Sequence, residues 1–225
     1  MKRSKRYRNN LKKIENVKSF DEALDRLKEL EPVKFDESVE LHVKLNINLK
    51  KSDQQVRFST ELPHGTGKVL KVAAFLEGGD AKKAKAAGAD FVFSGADILK
   101  IGDKIKIDFD VCVATPSMMP GLAKIAKILG PKGLMPSPKN ETITTDIEKT
   151  LKQLRKGKIN VKSDSGGCVH QMIGKLSFKK EDLADNYKVI LEALEKQRPA
   201  KLKGKFVKRI TVSTTMGPGI RVKGF

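Results

Sequence analysis

The run Ser213-Thr214-Thr215-Met216-Gly217-Pro218-Gly219 places three hydroxyls and a thioether where a strand breaks into a glycine-proline turn. Short hydroxyl side chains hydrogen-bond with little entropy to lose, and glycines without Cβ let another backbone approach closely. The chemistry on offer is hydrogen bonding to a polar, anionic surface. Read alone, the run is equally an ordinary strand-to-turn exit.

Other reactive residue types form no catalytic pattern. Gly65-Thr66-Gly67-Lys68 resembles a phosphate loop, but the Walker spacing needs four residues between the glycines and Ser or Thr after the Lys, where Val69 stands. No G-x-G-x-x-G run opens a helix after a strand. His42, His64 and His170 lie far apart in the chain, and none has a Cys, Asp or Glu at the spacing of a local metal site. Strand faces are expected for His42 and His170 and a turn for His64. Cys112 and Cys168 are isolated and read as reduced, buried thiols. Neither paired carboxylates nor a nucleophile elbow is present, so no enzyme, metal, cofactor or small-molecule substrate is expected.

Charge narrows the partner. The chain has 225 residues, 46 Lys and Arg against 27 Asp and Glu, and a net charge of +19. Nucleic acid is the leading partner for such a surface. No stretch reaches the roughly 18 apolar residues needed to span a membrane, and the start Met1-Lys2-Arg3-Ser4-Lys5-Arg6 leads into no apolar signal core. A soluble intracellular protein is expected. Residues 1–67 carry 15 basic and 11 acidic groups (+4), 68–157 carry 16 and 10 (+6), and 158–225 carry 15 and 6 (+9). The hydroxyl-rich run lies in the most basic third.

The elements that must position these residues have two textures. Ser19-Phe20-Asp21-Glu22 is a capping box before Ala23, Leu24, Leu27 and Leu30 at helical spacing, with Pro32 as the stop. Residues 38–48 alternate, with Val39, Leu41, Val43, Leu45 and Ile47 on one face and Glu40, His42, Lys44 and Asn46 on the other. One wet face implies an antiparallel sheet. Further strands are expected over 56–61, 158–162, 169–178 and 206–215, with a helix over 181–197 whose apolar side is Leu183, Tyr187, Ile190, Leu191 and Leu194.

The middle of the chain differs. Short apolar runs at 69–75, 91–93 and 111–114 alternate with helical segments at 81–87, 122–129 and 147–155, the last opened by the capping box Thr145-Asp146-Ile147-Glu148. That alternation predicts a small parallel α/β layer. The simplest arrangement is an insertion. Residues 1–67 and 158–225 form a discontinuous α+β domain with an antiparallel sheet, and 68–157 form an inserted Rossmann-like α/β lobe. Pro63, Gly65, Gly67 and Gly157 stand at the crossings as candidate hinges.

Gly130-Pro131-Lys132-Gly133 fits the glycine-x-x-glycine loop with which KH domains clamp nucleic acid, and it fits equally a stiff turn after a helix. It also belongs to a longer pattern. Residues 129–139, Leu62-Pro63-His64-Gly65-Thr66-Gly67-Lys68, His170-Gln171-Met172-Ile173-Gly174-Lys175 with Ser177-Phe178, and Thr214-Thr215-Met216-Gly217-Pro218 are similar to motifs of the family of large ribosomal subunit protein one. The resemblance covers essentially the whole chain. It implies a split domain with an inserted lobe, binding to the stalk region of large-subunit rRNA, help in releasing deacylated tRNA from the exit site, and repression of the protein's own mRNA. Other ribosomal components become expected neighbours, and the expected location is the ribosome, cytoplasmic or organellar.

The resemblance also places the RNA contact. It falls on Phe35, Ser38, Lys175, His170 and Ser213, Thr214, Thr215, Met216 and Gly217, with Arg6, Arg8 and Lys34 as phosphate contacts. Phe35 fits base stacking and a core position equally. Lys132 and Ser137 stand where the family often has Arg and Asn, and the turn over 163–168 is more glycine-rich than its pattern. Two other readings stay open: a nucleotide-using enzyme built on the α/β lobe, and a general basic nucleic-acid-binding protein.

Overall fold

The computed structural model describes residues 4–14, 17, 19–48, 54–77, 81–98, 100, 107–200, 202 and 204–222. In chain order the elements are α1 (Lys5–Lys13), α2 (Phe20–Lys28), β1 (Ser38–Leu45), β2 (Arg57–Glu61), β3 (Val72–Phe75), α3 (Ala81–Ala86), β4 (Phe91–Phe93), α4 (Gly95–Ile98) and β5 (Val111–Ala114). There follow α5 (Met119–Ala123), α6 (Ala126–Leu129), α7 (Ile147–Lys156), β6 (Lys158–Lys162), β7 (Cys168–Lys175), α8 (Lys180–Lys196), β8 (Val207–Thr214) and β9 (Ile220–Val222). The chain divides into two compact units, Met1–Gly67 with Asn160–Phe225, and Lys68–Ile159.

The first unit is built on a four-stranded antiparallel sheet in the order β7-β1-β8-β9. The alternation along β1 decides its faces: Val39, Leu41, Val43 and Leu45 are buried, and Glu40, His42 and Lys44 are half-buried on the other side. Helices α2 and α8 pack on the sheet and on each other, with Phe20 stacked on Tyr187 at a centroid distance of 3.8 Å. Ser19 caps α2 by accepting from the Glu22 amide, as its capping box predicts.

The second unit holds a parallel three-stranded sheet in the order β4-β3-β5. Both of its faces are covered. Ala73 and Phe75 pack with Phe93, Phe109, Leu122 and Leu129, while Val72 and Ala74 pack with Ala84, Leu151 and Leu154. A strand buried on both faces reads as a continuous apolar run, which is why β3 shows no alternation.

Several local expectations change. The expected 122–129 helix is two short ones, because Lys124 and Ile125 donate to Gly121 and Leu122 in i→i−3 bonds that interrupt the α pattern. Asp146, not Thr145, caps α7: its carboxylate accepts from the Lys149 amide at 3.2 Å. The first long strand stops at Leu45, where its register against β8 shifts and Asn46 turns to donate to the Phe206 carbonyl. Strand β7 ends at Lys175, since residues 176–178 turn and the Phe178 amide closes on the Lys175 carbonyl. Helix α1 and strand β9 add to the expected elements. Gly130-Pro131-Lys132-Gly133 is the turn that ends α6, with Gly133 at φ 70° and the Leu134 amide returning to the Leu129 carbonyl.

Candidate nucleic-acid interface

The start of β1 meets the ends of β7 and β8, and there the backbone is tied by side chains. The Ser38 amide donates to Thr215 Oγ1 at 3.0 Å, and the Thr215 amide donates to the Ser38 carbonyl at 3.1 Å. The Met216 amide donates to the buried Glu37 carboxylate at 2.9 Å, and the Arg6 guanidinium reaches the Met216 carbonyl at 3.1 Å. Lys175 Nζ donates to Ser38 Oγ at 3.1 Å and to the Asp36 carbonyl at 3.3 Å, while Asp36 accepts from Ser177 through both its amide and its hydroxyl.

With the backbone held, two apolar side chains are left outside. Among the described large hydrophobics only Phe35, Val69 and Met216 are exposed, Phe35 at 53% and Met216 at 51%. The core alternative for Phe35 is therefore not taken up. Gly217 is needed for the turn, since a Cβ there would lie 2.3 Å from Thr214 Oγ1. The described edge thus combines fixed polar backbone, a lysine and an arginine, and two open apolar surfaces.

This edge brings together Arg6, Phe35, Ser38, Lys175, Thr215, Met216 and Gly217. Lys34 is exposed beside Phe35, and Arg8 is exposed on α1. Thr214 departs from its expected role, because it shares the inward face with Val212 and its hydroxyl is buried without a partner among the described residues. His170 departs too. Register pairs Ser38 with Lys175 and His42 with His170, so His170 lies opposite a residue four positions, or about 13 Å at ~3.3 Å per residue, along β1 from Ser38.

His170 instead joins a second polar group on the open sheet face. His42 Nδ1 is 2.8 Å from His170 Nδ1, His42 Nε2 is 3.0 Å from Ser213 Oγ, and His170 Nε2 is 3.3 Å from Asp164 Oδ2. Burial, then the neighbouring His170 charge, pulls the His42 pKa below its usual value, with Glu40 opposing. The sequence spacing gives no metal cluster, yet Asp164, Cys168 and His170 bring ligand atoms within 4.8 Å of one another. The period of two along β7 puts Cys168 and His170 on one face, and the turn returns Asp164 to them. Cys168 is half-buried rather than buried. Cys112 is buried, and loss of hydration pushes its thiol up to about 12.

The crossing residues have local roles. Pro63 precedes a segment pinned to α8 by the fully buried Asn186, whose amide oxygen accepts from the His64 amide at 3.3 Å and whose NH2 donates to the Gly65 and Ile173 carbonyls at 2.9 and 2.8 Å. Gly67, at φ 74°, holds the left-handed backbone that favours glycine, and a Cβ there would press on the Lys175 and Phe178 side chains at 3.0 Å. Gly157, at φ 110°, is the left-handed cap of α7. Asn186 and Glu37 were missed in the sequence reading. The signal for Asn186 is a polar residue three positions after Leu183 on the apolar side of a helix.

The molecule is thus a discontinuous α+β unit with an antiparallel sheet and a tied, partly apolar strand edge, interrupted by a doubly covered α/β unit. Residues 27–218 match the Ribosomal protein L1p/L10e family, and the chain belongs to that family. It is a family of ribosomal proteins rather than of enzymes. The chain is 48% identical over 225 residues to large ribosomal subunit protein uL1 of Thermosipho africanus, covering 98% of this chain and 96% of that protein. It is 48% identical over 223 residues to the uL1 of Kosmotoga olearia, with the same coverage of 98% and 96%. No described helix is long and apolar enough to cross a membrane.

Proposed function

We propose that this chain is an rRNA-binding protein of the large ribosomal subunit. Residues 1–67 and 158–225 act as the RNA-binding domain, and 68–157 as an inserted domain. The observation that carries this reading is the tied strand edge, which exposes Phe35 and Met216 beside Arg6, Lys34 and Lys175. Phe35 stacks on a base, Met216 packs on a nucleotide face, and the cations Arg6, Lys34 and Lys175 meet phosphate. The Thr215 hydroxyl serves differently: it is committed to Ser38, so it shapes the edge that RNA meets.

In this reading the RNA is the stalk region of large-subunit rRNA. The inserted domain moves about its two crossings, at residues 63–68 and near Gly157, and assists release of deacylated tRNA from the exit site. The same edge represses the protein's own mRNA through a similar RNA element. No cofactor or small-molecule substrate takes part, and the protein works on ribosomes of the cytoplasm or an organelle. Family membership supports the ribosomal assignment, and the net charge of +19 supports an RNA partner.

The test is co-sedimentation with large subunits through a high-salt cushion. Wild-type protein stays bound and a Phe35→Ala, Met216→Ala double variant washes off. Retention of the folded double variant equal to wild type would place the contact elsewhere.

A further inference from the structure

The geometry points to a binding site for a zinc-class divalent ion at Asp164, Cys168 and His170, on the open face of the split unit's sheet. It does not rest on the RNA reading. The three donors are a carboxylate oxygen, a sulfur and an imidazole nitrogen, all within 4.8 Å of one another. A thiolate-containing set of this kind favours zinc or cobalt over magnesium. His170 Nε2 and Asp164 Oδ2 are 3.3 Å apart. Two ligands each ~2.05 Å from one tetrahedral ion are separated by about that distance, so this pair needs almost no rearrangement. Cys168 stands two residues before His170 on the same strand, and closing its sulfur onto the ion completes three protein ligands, with water in the fourth position.

The surroundings hold the donors in ligand-ready form. Asp164 Oδ1 already accepts from the Gly166 and Cys168 amides at 2.8 and 2.6 Å, which fixes the carboxylate and leaves Oδ2 to the ion. With Nε2 on the metal, His170 Nδ1–H donates to His42 Nδ1, and His42 Nε2–H donates to Ser213 Oγ, so one tautomer chain satisfies every ring nitrogen. Lys44 is directed to the Gly166 carbonyl, and Glu40 lies 3.7 Å from His42 Nε2. Binding replaces the His170–Asp164 hydrogen bond, and the Cys168 thiol proton leaves to solvent.

Cobalt titration of the full, reduced, RNA-free and metal-stripped chain tests this. Expected is saturation at one equivalent, with visible bands of a tetrahedral ion and a thiolate-to-cobalt charge-transfer band, all displaced by zinc and unaffected by excess magnesium. Cys168→Ser removes the charge-transfer band and His170→Asn abolishes tight binding. His42→Ala keeps the band but weakens binding about tenfold, as loss of an outer-shell partner does. The buried Cys112 does not compete, so zinc slows thiol modification at Cys168 alone. Absence of the charge-transfer band in wild-type protein, or its persistence in folded Cys168→Ser, overturns the site.

Discussion

In the split unit, Val39, Leu41, Val43 and Leu45 bury one face of β1 while Glu40, His42 and Lys44 stay half-open on the other; in the inserted unit, Val72, Ala73, Ala74 and Phe75 are all buried. The contrast separates two ways of using a sheet. A sheet covered on both faces keeps its strand residues for its own core, and its parallel pairing requires that cover. A sheet with one open face and tied strand ends can present side chains to a partner. The RNA contact proposed above lies on the half-open unit, whose open face and strand ends leave side chains outside its core.

The largest expected effect probes the inserted core. Phe75→Ala should cost about 3–5 kcal/mol of that unit's stability, because it empties space among Phe93, Phe109 and Leu122. Urea unfolding with a probe in each unit should show the loss confined to the second, with rRNA affinity of the split unit kept. Parallel loss of both would erase the distinction between them. Next in size is Asn186→Ala. It strands the His64 amide and the Gly65 and Ile173 carbonyls, and should cost about 3 kcal/mol in denaturant titration of the split unit. A loss below the error of the titration would mean that the crossing is not held by α8.

A smaller effect comes from acid. Hydrogen bonding from the Val72 amide, then Arg155, holds the Asp90 carboxyl below the usual carboxylate range. The stability this gives is complete above the unfolded carboxylate pKa, near 4, and disappears as pH falls through the lower folded value. Asp90→Asn should therefore flatten the acid limb of the inserted unit's stability curve, and by about 1 kcal/mol at most, since the pair is part-exposed. An unchanged acid limb would remove Asp90 from the account. Least specific of all, Arg8→Gln should weaken every RNA alike and lower the salt slope by about 0.7 to 0.9. A loss confined to stalk-type RNA would make Arg8 a reader of structure instead.

What could be read in advance follows from which forces leave a local trace. The alternation along β1 and the periodicity of α8 are patterns of burial, so both faces and the two-texture organisation were legible. Helix α1 was not, because its one buried residue is Asn10 and no apolar stripe marks it. Thr214 could have been read as inward from its spacing of two after Val212. The pairing of His42 with His170 could not, since alternation gives the face of a strand but not its neighbour. The same limit hid the approach of Asp164 to Cys168 and His170. The interlock of Ser38 with Thr215 depends on strand ends meeting across 177 positions of chain, and only the fold supplies it.

The central claim is that the strand edge carrying Phe35 and Met216 sets RNA specificity while the basic surface sets general affinity. Its most direct test is the ratio of dissociation constants for a stalk-region rRNA fragment and a random RNA of equal length at fixed salt. The account predicts that Phe35→Ala raises this ratio, by the equivalent of about 1–3 kcal/mol for a lost stacking contact, and that Met216→Ala raises it by less, with random-RNA binding and protein stability unchanged. An equal loss on both RNAs, or no loss on either, would contradict it.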